Sequence, residues 1–100
     1  MLRHIFIGPA FDTSKEQDID YVVEVLRNLP NIIPQIRSIS VEKSLGLFNE
    51  SKGIVMIATF DNEQDWRAYM NDDRHHAEGE KIKPFIDLSK MTVTQTVVSV

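Results

Sequence analysis

The run Ile54-Val55-Met56-Ile57-Ala58-Thr59-Phe60 constrains this chain more than any other stretch. It is apolar at almost every position and far too short to cross a bilayer, which is the signature of a strand buried on both faces. A sheet with two apolar faces needs two covers. In a chain of 100 residues, helices can coat one face of a single sheet but leave little for the other. The expectation is therefore a second copy of the same chain against the uncovered face.

Composition narrows the class of function. A hydrophobic content of 42% suits one compact domain over residues 1–100, burying roughly 60–70% of the unfolded surface, so stability alone does not demand a dimer. The net charge is −4 and no segment gathers Lys and Arg into a phosphate-tracking face, which argues against nucleic acid as a partner. The longest apolar runs fall well short of the roughly 18–20 residues a membrane span needs, and Met1-Leu2-Arg3-His4 opens straight into a strand rather than a signal peptide. A soluble, cytoplasmic protein that does not engage the membrane is expected. With no Cys in the chain, disulfides, thiolate nucleophiles and zinc-thiolate sites are excluded together.

Taken in order, Leu2 to Gly8 alternates Leu2, His4 and Phe6 with Arg3, Ile5 and Ile7. It thus carries apolar groups on both sides and belongs in the middle of a sheet. Thr13 and Glu16 have the spacing of a reciprocal capping box, predicting a helix from there to about Leu29 with Ile19, Val22, Val23, Leu26 and Leu29 on its inner side. Pro30 is expected to stop it. Gln35 to Ser44 is too polar for a central strand and reads as an edge. The Leu45 to Gly53 connection carries Leu47 and Phe48, which would be wasted in solvent, so a loop folded back over the body is expected.

After the central run, Asp61 or Asn62 can cap a short helix with Trp66, Tyr69 and Met70 facing inward. A further helix over about Arg74 to Ile82 is expected to be interrupted at Gly79, with Asp72 and Asp73 at its dipole-favoured start. Met91 to Val98 is a Thr-rich edge strand. The order strand, helix, strand, strand, helices, strand is the ferredoxin-like plan, βαββ(α)αβ, an α+β fold whose antiparallel sheet has helices on one face. Two such sheets meeting face to face would close into a dimeric α/β barrel and remove the exposed edges.

Arg3-His4-Ile5 at the start, Leu29-Pro30-Asn31-Ile32-Ile33-Pro34 after the first helix, and Tyr69 followed six residues later by His75, taken together, resemble the stress-responsive dimeric α/β-barrel (Dabb) family. The resemblance runs over essentially the whole chain and rests on spacing and order rather than on one strong signature. It implies a homodimer of ferredoxin-like subunits. Most members have no assigned activity, and a plant polyketide cyclase, olivetolic acid cyclase, belongs to the same group. The cyclase branch works with a Tyr and a His on the helices and a further His on the first strand. The resemblance carries these roles to Tyr69, His75 and His4. Where the family usually has His-Pro, this chain has Asp72 and Asp73, and a changed first turn would move His75.

Each candidate also has a structural reading. His4 would be a neutral core imidazole, Tyr69 an amphipathic core residue and His75 a solvated first-turn residue; the functional reading makes Tyr69 and His75 an acid–base pair with His4 lining the pocket. Asp72, His75 and His76 could converge on a divalent metal, but charged residues and His at a helix start are common, and neither metal nor cofactor is expected. No Gly-rich phosphate loop and no Ser with a His-acid context is present. The leading expectation is a homodimeric stress-associated or small-molecule binding module of unassigned substrate, its ligand small and apolar or aromatic. A cofactor-free polyketide-cyclase-like enzyme and a dimeric-barrel monooxygenase follow.

Overall fold

The computed structural model describes residues 1–99. The last residue of the expected 1–100 domain, Val100, lies outside them. Four strands, β1 (Leu2–Pro9), β2 (Ser38–Lys43), β3 (Gly53–Phe60) and β4 (Thr92–Val97), form one sheet in the order β2-β3-β1-β4, antiparallel throughout. The two most apolar strands sit in the middle and the two polar ones at the edges, as the polarity gradient predicts. Four helices, α1 (Glu16–Arg27), α2 (Leu29–Ile32), α3 (Glu63–Met70) and α4 (Asp73–Ile82), and a 3-10 turn at Leu88–Lys90 complete the elements of the described residues.

Register decides which side chains meet the helices. His4 pairs with Ala58 and Gln95, and Phe6 with Met56 and Val93, so these residues share one face by the two-residue period of a strand. On β3 that face, Ile54, Met56, Ala58 and Phe60, is completely buried. The core continues into α1 through Ile19, Val22, Val23 and Leu26, whose helical spacing lines them along one stripe. Across the sheet lie Ile5, Ile7, Val55 and Ile57, in paired register and only partly shielded, with Thr92, Thr94 and Thr96 on their flank. The two-sided apolar character of β3 is real, but within one subunit only the helix side is closed.

Several local expectations are corrected. Thr13 does not cap α1. The Ser14 hydroxyl donates to the Phe85 carbonyl at 2.8 Å and draws the chain against the C-terminal segment, so the helix begins later, with the Lys15 backbone N–H donating to Asp18 at 2.8 Å. Pro30 does not end the helical path either. α1 stops at Arg27, and Pro30 lies in the first turn of α2, where a missing N–H costs nothing.

The β2–β3 loop does not fold back: Leu45, Leu47 and Phe48 are 80%, 85% and 93% exposed. Glu50 closes the tip on itself, accepting from the Phe48 N–H at 2.8 Å and from the Ser44 hydroxyl. Gly53 belongs to β3 rather than to this loop, because a Cβ there would stand 2.1 Å from the Gly8 carbonyl oxygen. Finally, α4 runs unbroken through Gly79, held by the Asp72 cap at its start and by buried Ile82 at its end, so a loss of about 1 kcal/mol relative to Ala does not interrupt it.

Candidate functional site

The three side chains singled out from the sequence come from three elements and reach one cavity. His4 is on β1, Tyr69 on α3 and His75 on α4, and all three line a partly open space of about 310 Å³. Phe6, Leu26, Leu29, Met56, Ile82 and Val93 contribute its apolar walls, while Glu80, Lys83 and His76 bring charge and polarity to its boundary. That volume lies at the lower end of the range in which small-molecule sites occur.

Local sequence explains how the helices deliver their residues. The Asn62 side chain accepts from the Asp65 N–H at 2.8 Å and starts α3, and spacing of three places Trp66 and Tyr69 on one side of that helix. Tyr69 is fully buried, its ring 5.2 Å from that of Phe60. The chain then breaks at Asn71 and restarts at Asp72, which accepts from the Arg74 N–H at 2.8 Å and pairs with the Arg74 guanidinium. The departure from His-Pro thus builds its own cap. His75 lies over Tyr69, with ring centroids 4.2 Å apart and planes 36° from parallel. Gly79 follows His75 by four residues, on the same face of α4, and a Cβ there would meet nothing within 4 Å.

Electrostatics keep both inner imidazoles neutral. His4 is 3% exposed, and burial, reinforced by nearby His75, lowers its pKa to about 4. Burial and the neighbouring His76 also lower His75, against a smaller upward pull from the Met70 carbonyl and Asp72. The Nδ1 of His75 is buried without a protein hydrogen-bond partner. Burial pushes the Tyr69 phenol well above its ordinary range. A neutral imidazole beside a protonated phenol is a base next to a hydrogen-bond donor.

Asp72 is instead held down to about 2, chiefly by its hydrogen bonds from Arg74, and its carboxylate is committed there. Among the described residues, no group of three or more His, Cys, Asp or Glu is arranged to hold a metal ion. The convergence of Asp72, His75 and His76 weighed from sequence is therefore not formed. His76 is exposed and lies at the boundary of the cavity.

Two contributors were not legible as such. Gln95, opposite His4 in register, brings its amide nitrogen to 3.1 Å from His4 Nδ1, and the strand order was the signal that could have found it. Gly79, read from sequence as an interruption, leaves open the space beside His75.

Comparison with known proteins agrees with this architecture. The profile of the Stress responsive A/B Barrel Domain matches residues 2–98. The chain is similar to the At3g17210 protein of Arabidopsis thaliana, with 18% identity, full coverage of both chains and a TM-score of 0.81. It is also similar to a dimeric ferredoxin-like protein of unknown function from Thermobifida fusca, with 26% identity over 97% of this chain and 90% of that one and a TM-score of 0.80. A third likeness, to the hydroxynitrile lyase of Passiflora edulis, has 19% identity over 98% of this chain and 93% of the other, with a TM-score of 0.80. No curated protein matches.

Proposed function

Because the chain belongs to the Stress responsive A/B Barrel Domain family, we propose that it works as a homodimer in which each subunit holds one small, largely apolar or aromatic molecule. The observation that carries this reading is the convergence of His4, Tyr69 and His75 on a single apolar cavity of about 310 Å³. An apolar body with a single polar end suits such a space: the aliphatic walls take the body, and the two imidazoles and the phenol take the end.

Gly79→Leu tests it. With no atom within 4 Å of the added Cβ, the side chain fills the cavity rather than displacing the core. The variant should fold as stably as the parent and lose binding of aromatic probes followed by NMR titration. Undiminished binding with the cavity filled would sink the reading.

The dimer uses the sheet face away from the helices. Ile5, Ile7, Val55 and Ile57 form a continuous apolar patch there, and the Thermobifida fusca relative is described as dimeric. Sedimentation at micromolar concentration should give a dimer, and Ile57→Lys should give a monomer. The cytoplasm suits a chain without Cys, and no helix among the described residues is long and apolar enough to cross a membrane.

The 4.2 Å stacking of His75 on Tyr69 favours a second, catalytic reading for the same cavity. In it, His75 removes a proton from a carbon next to a carbonyl. The C–H pair becomes the new carbon–carbon double bond, the carbonyl π pair moves onto oxygen, and the Tyr69 hydroxyl hydrogen-bonds the resulting enolate. Solvent deuterium exchange into a bound β-dicarbonyl probe, abolished in His75→Ala, is the expected result. Exchange at the parent rate in that variant would overturn it.

A further inference from the structure

The Nδ1 atom of His4 receives two donors at once. Trp66 Nε1 lies 3.2 Å away and Gln95 Nε2 3.1 Å away. An indole nitrogen can only donate, so Nδ1 must be the accepting nitrogen whatever the ring's surroundings would otherwise prefer. The Gln95 amide then has to turn its NH2 toward the imidazole, since its oxygen would face a lone pair. A neutral ring whose Nδ1 accepts carries its one proton on Nε2.

Each partner is fixed by a different part of the fold. Gln95 stands opposite His4 across the β1–β4 pairing, with helix-facing side chains side by side. Trp66 comes from α3, one turn before Tyr69, and the Arg67 guanidinium lies 5.7 Å from its ring centroid on the outer side. Among the described residues no acceptor meets the Nε2 of His4, and of their buried ring nitrogens only Nδ1 of His75 is left unpartnered. Nε2 is therefore open to the cavity that the ring lines.

We propose that Trp66 and Gln95 are positioning residues that lock His4 in its Nε2–H tautomer, making it a fixed hydrogen-bond donor toward a carbonyl-type oxygen of the bound molecule. The second half of this statement rests on the cavity reading above; the tautomer does not. The two inner imidazoles thereby divide the work. Toward the cavity His4 can donate but not accept, whereas the buried Nδ1 of His75 has no partner to fix that ring's tautomer. Low basicity supports the same division, because burial keeps the His4 ring neutral near pH 7.

The experiment is a long-range proton–nitrogen NMR spectrum of the full chain labelled at histidine nitrogens, for the parent, Gln95→Glu and Trp66→Phe. The parent should show His4 with its proton on Nε2 alone at neutral pH. Gln95→Glu sets a carboxylate beside Nδ1 and should draw a proton to that atom. Trp66→Phe, the milder change, should leave Nε2–H the major tautomer through Gln95 and admit a minor Nδ1–H population. A parent His4 protonated on Nδ1, or already a mixture of tautomers, overturns the lock. An unchanged His4 spectrum in Gln95→Glu, its fold verified by circular dichroism, does the same.

For the ligand half, acetophenone and α-methylstyrene are near-isosteric probes that differ in carbonyl oxygen against methylene. Acetophenone should bind the parent about fivefold more tightly, the size of one net hydrogen bond. Equal binding to the parent overturns the donor role. Entry of neither probe overturns the cavity reading, while the tautomer spectrum still decides the lock.

Discussion

The helix-covered side of the sheet is two different materials. Over β2 and β3, α1 sets down the apolar anchors Ile19, Val22 and Val23 against Val41 and Ile54, and the layers close. Over β1 and β4, α4 buries only Ile82 and Glu78, and β4 answers with half-exposed Val93 and the amide of Gln95. Space and neutral imidazoles occur on the second side because too few hydrophobic side chains are supplied there to fill it. Close packing is the default of a protein interior, so a void of this size has to be held open by the surrounding elements. Here the strand order and the capped restart of the chain at Asp72 do so.

This contrast can be broken most severely from the packed half. Phe60→Ala removes a completely buried ring that also supports Tyr69. It should cost about 3–5 kcal/mol in urea unfolding, whereas Leu88→Ala, at the rim of the cavity, should cost less than about 1 kcal/mol. Equal losses would mean the two halves are packed alike.

The next effect belongs to the hollow half and reads out in acid. His4 has an ordinary pKa of 6.5 in the unfolded chain and about 4 when folded. Below 6.5 the unfolded state therefore binds the extra proton, and the native state loses stability as pH falls from about 6.5 to about 4, by roughly 3 kcal/mol. Asp72 acts in a lower window: its folded pKa of about 2 lies under an ordinary 3.8, so its contribution disappears only as pH falls through that interval. His4→Gln should shrink the upper window to the part that His75, also lowered by burial, still contributes, and leave the lower one. Denaturation midpoints between pH 7 and pH 2 would decide this.

A smaller change in the opposite direction sharpens the comparison. Gly79→Ala should stabilise α4 by about 0.5–1 kcal/mol, because its Cβ meets nothing. The same substitution at Gly53 should destabilise by at least about 1–3 kcal/mol, since its Cβ would run into the Gly8 carbonyl. Thermal unfolding of the pair measures both.

The packed half was the more legible in sequence. Strand alternation and helical spacing report which side chains face inward, and those signals are strong where the residues are Ile, Val, Leu and Phe. That reasoning recovered the sheet order and the inner face of α1, whereas His4, Tyr69 and His75 were brought together only by the family resemblance. It failed where a contact joins distant parts of the chain through polar atoms. The bond from Ser14 to Phe85 displaces the start of α1, and the amide of Gln95 finds His4 across 91 positions. It also failed where a residue acts by lacking bulk. Gly53 admits a neighbouring backbone and Gly79 leaves room, and neither has a hydrophobic period to betray it.

Gly79 has one more consequence. Its alpha carbon sits on a helix that the rest of the domain does not need to adjust when a substituent is added, so the residue acts as a dial for guest size. Alanine, valine and leucine at this one position would give a graded series of chambers, a ruler by exclusion for any molecule the cavity is found to admit.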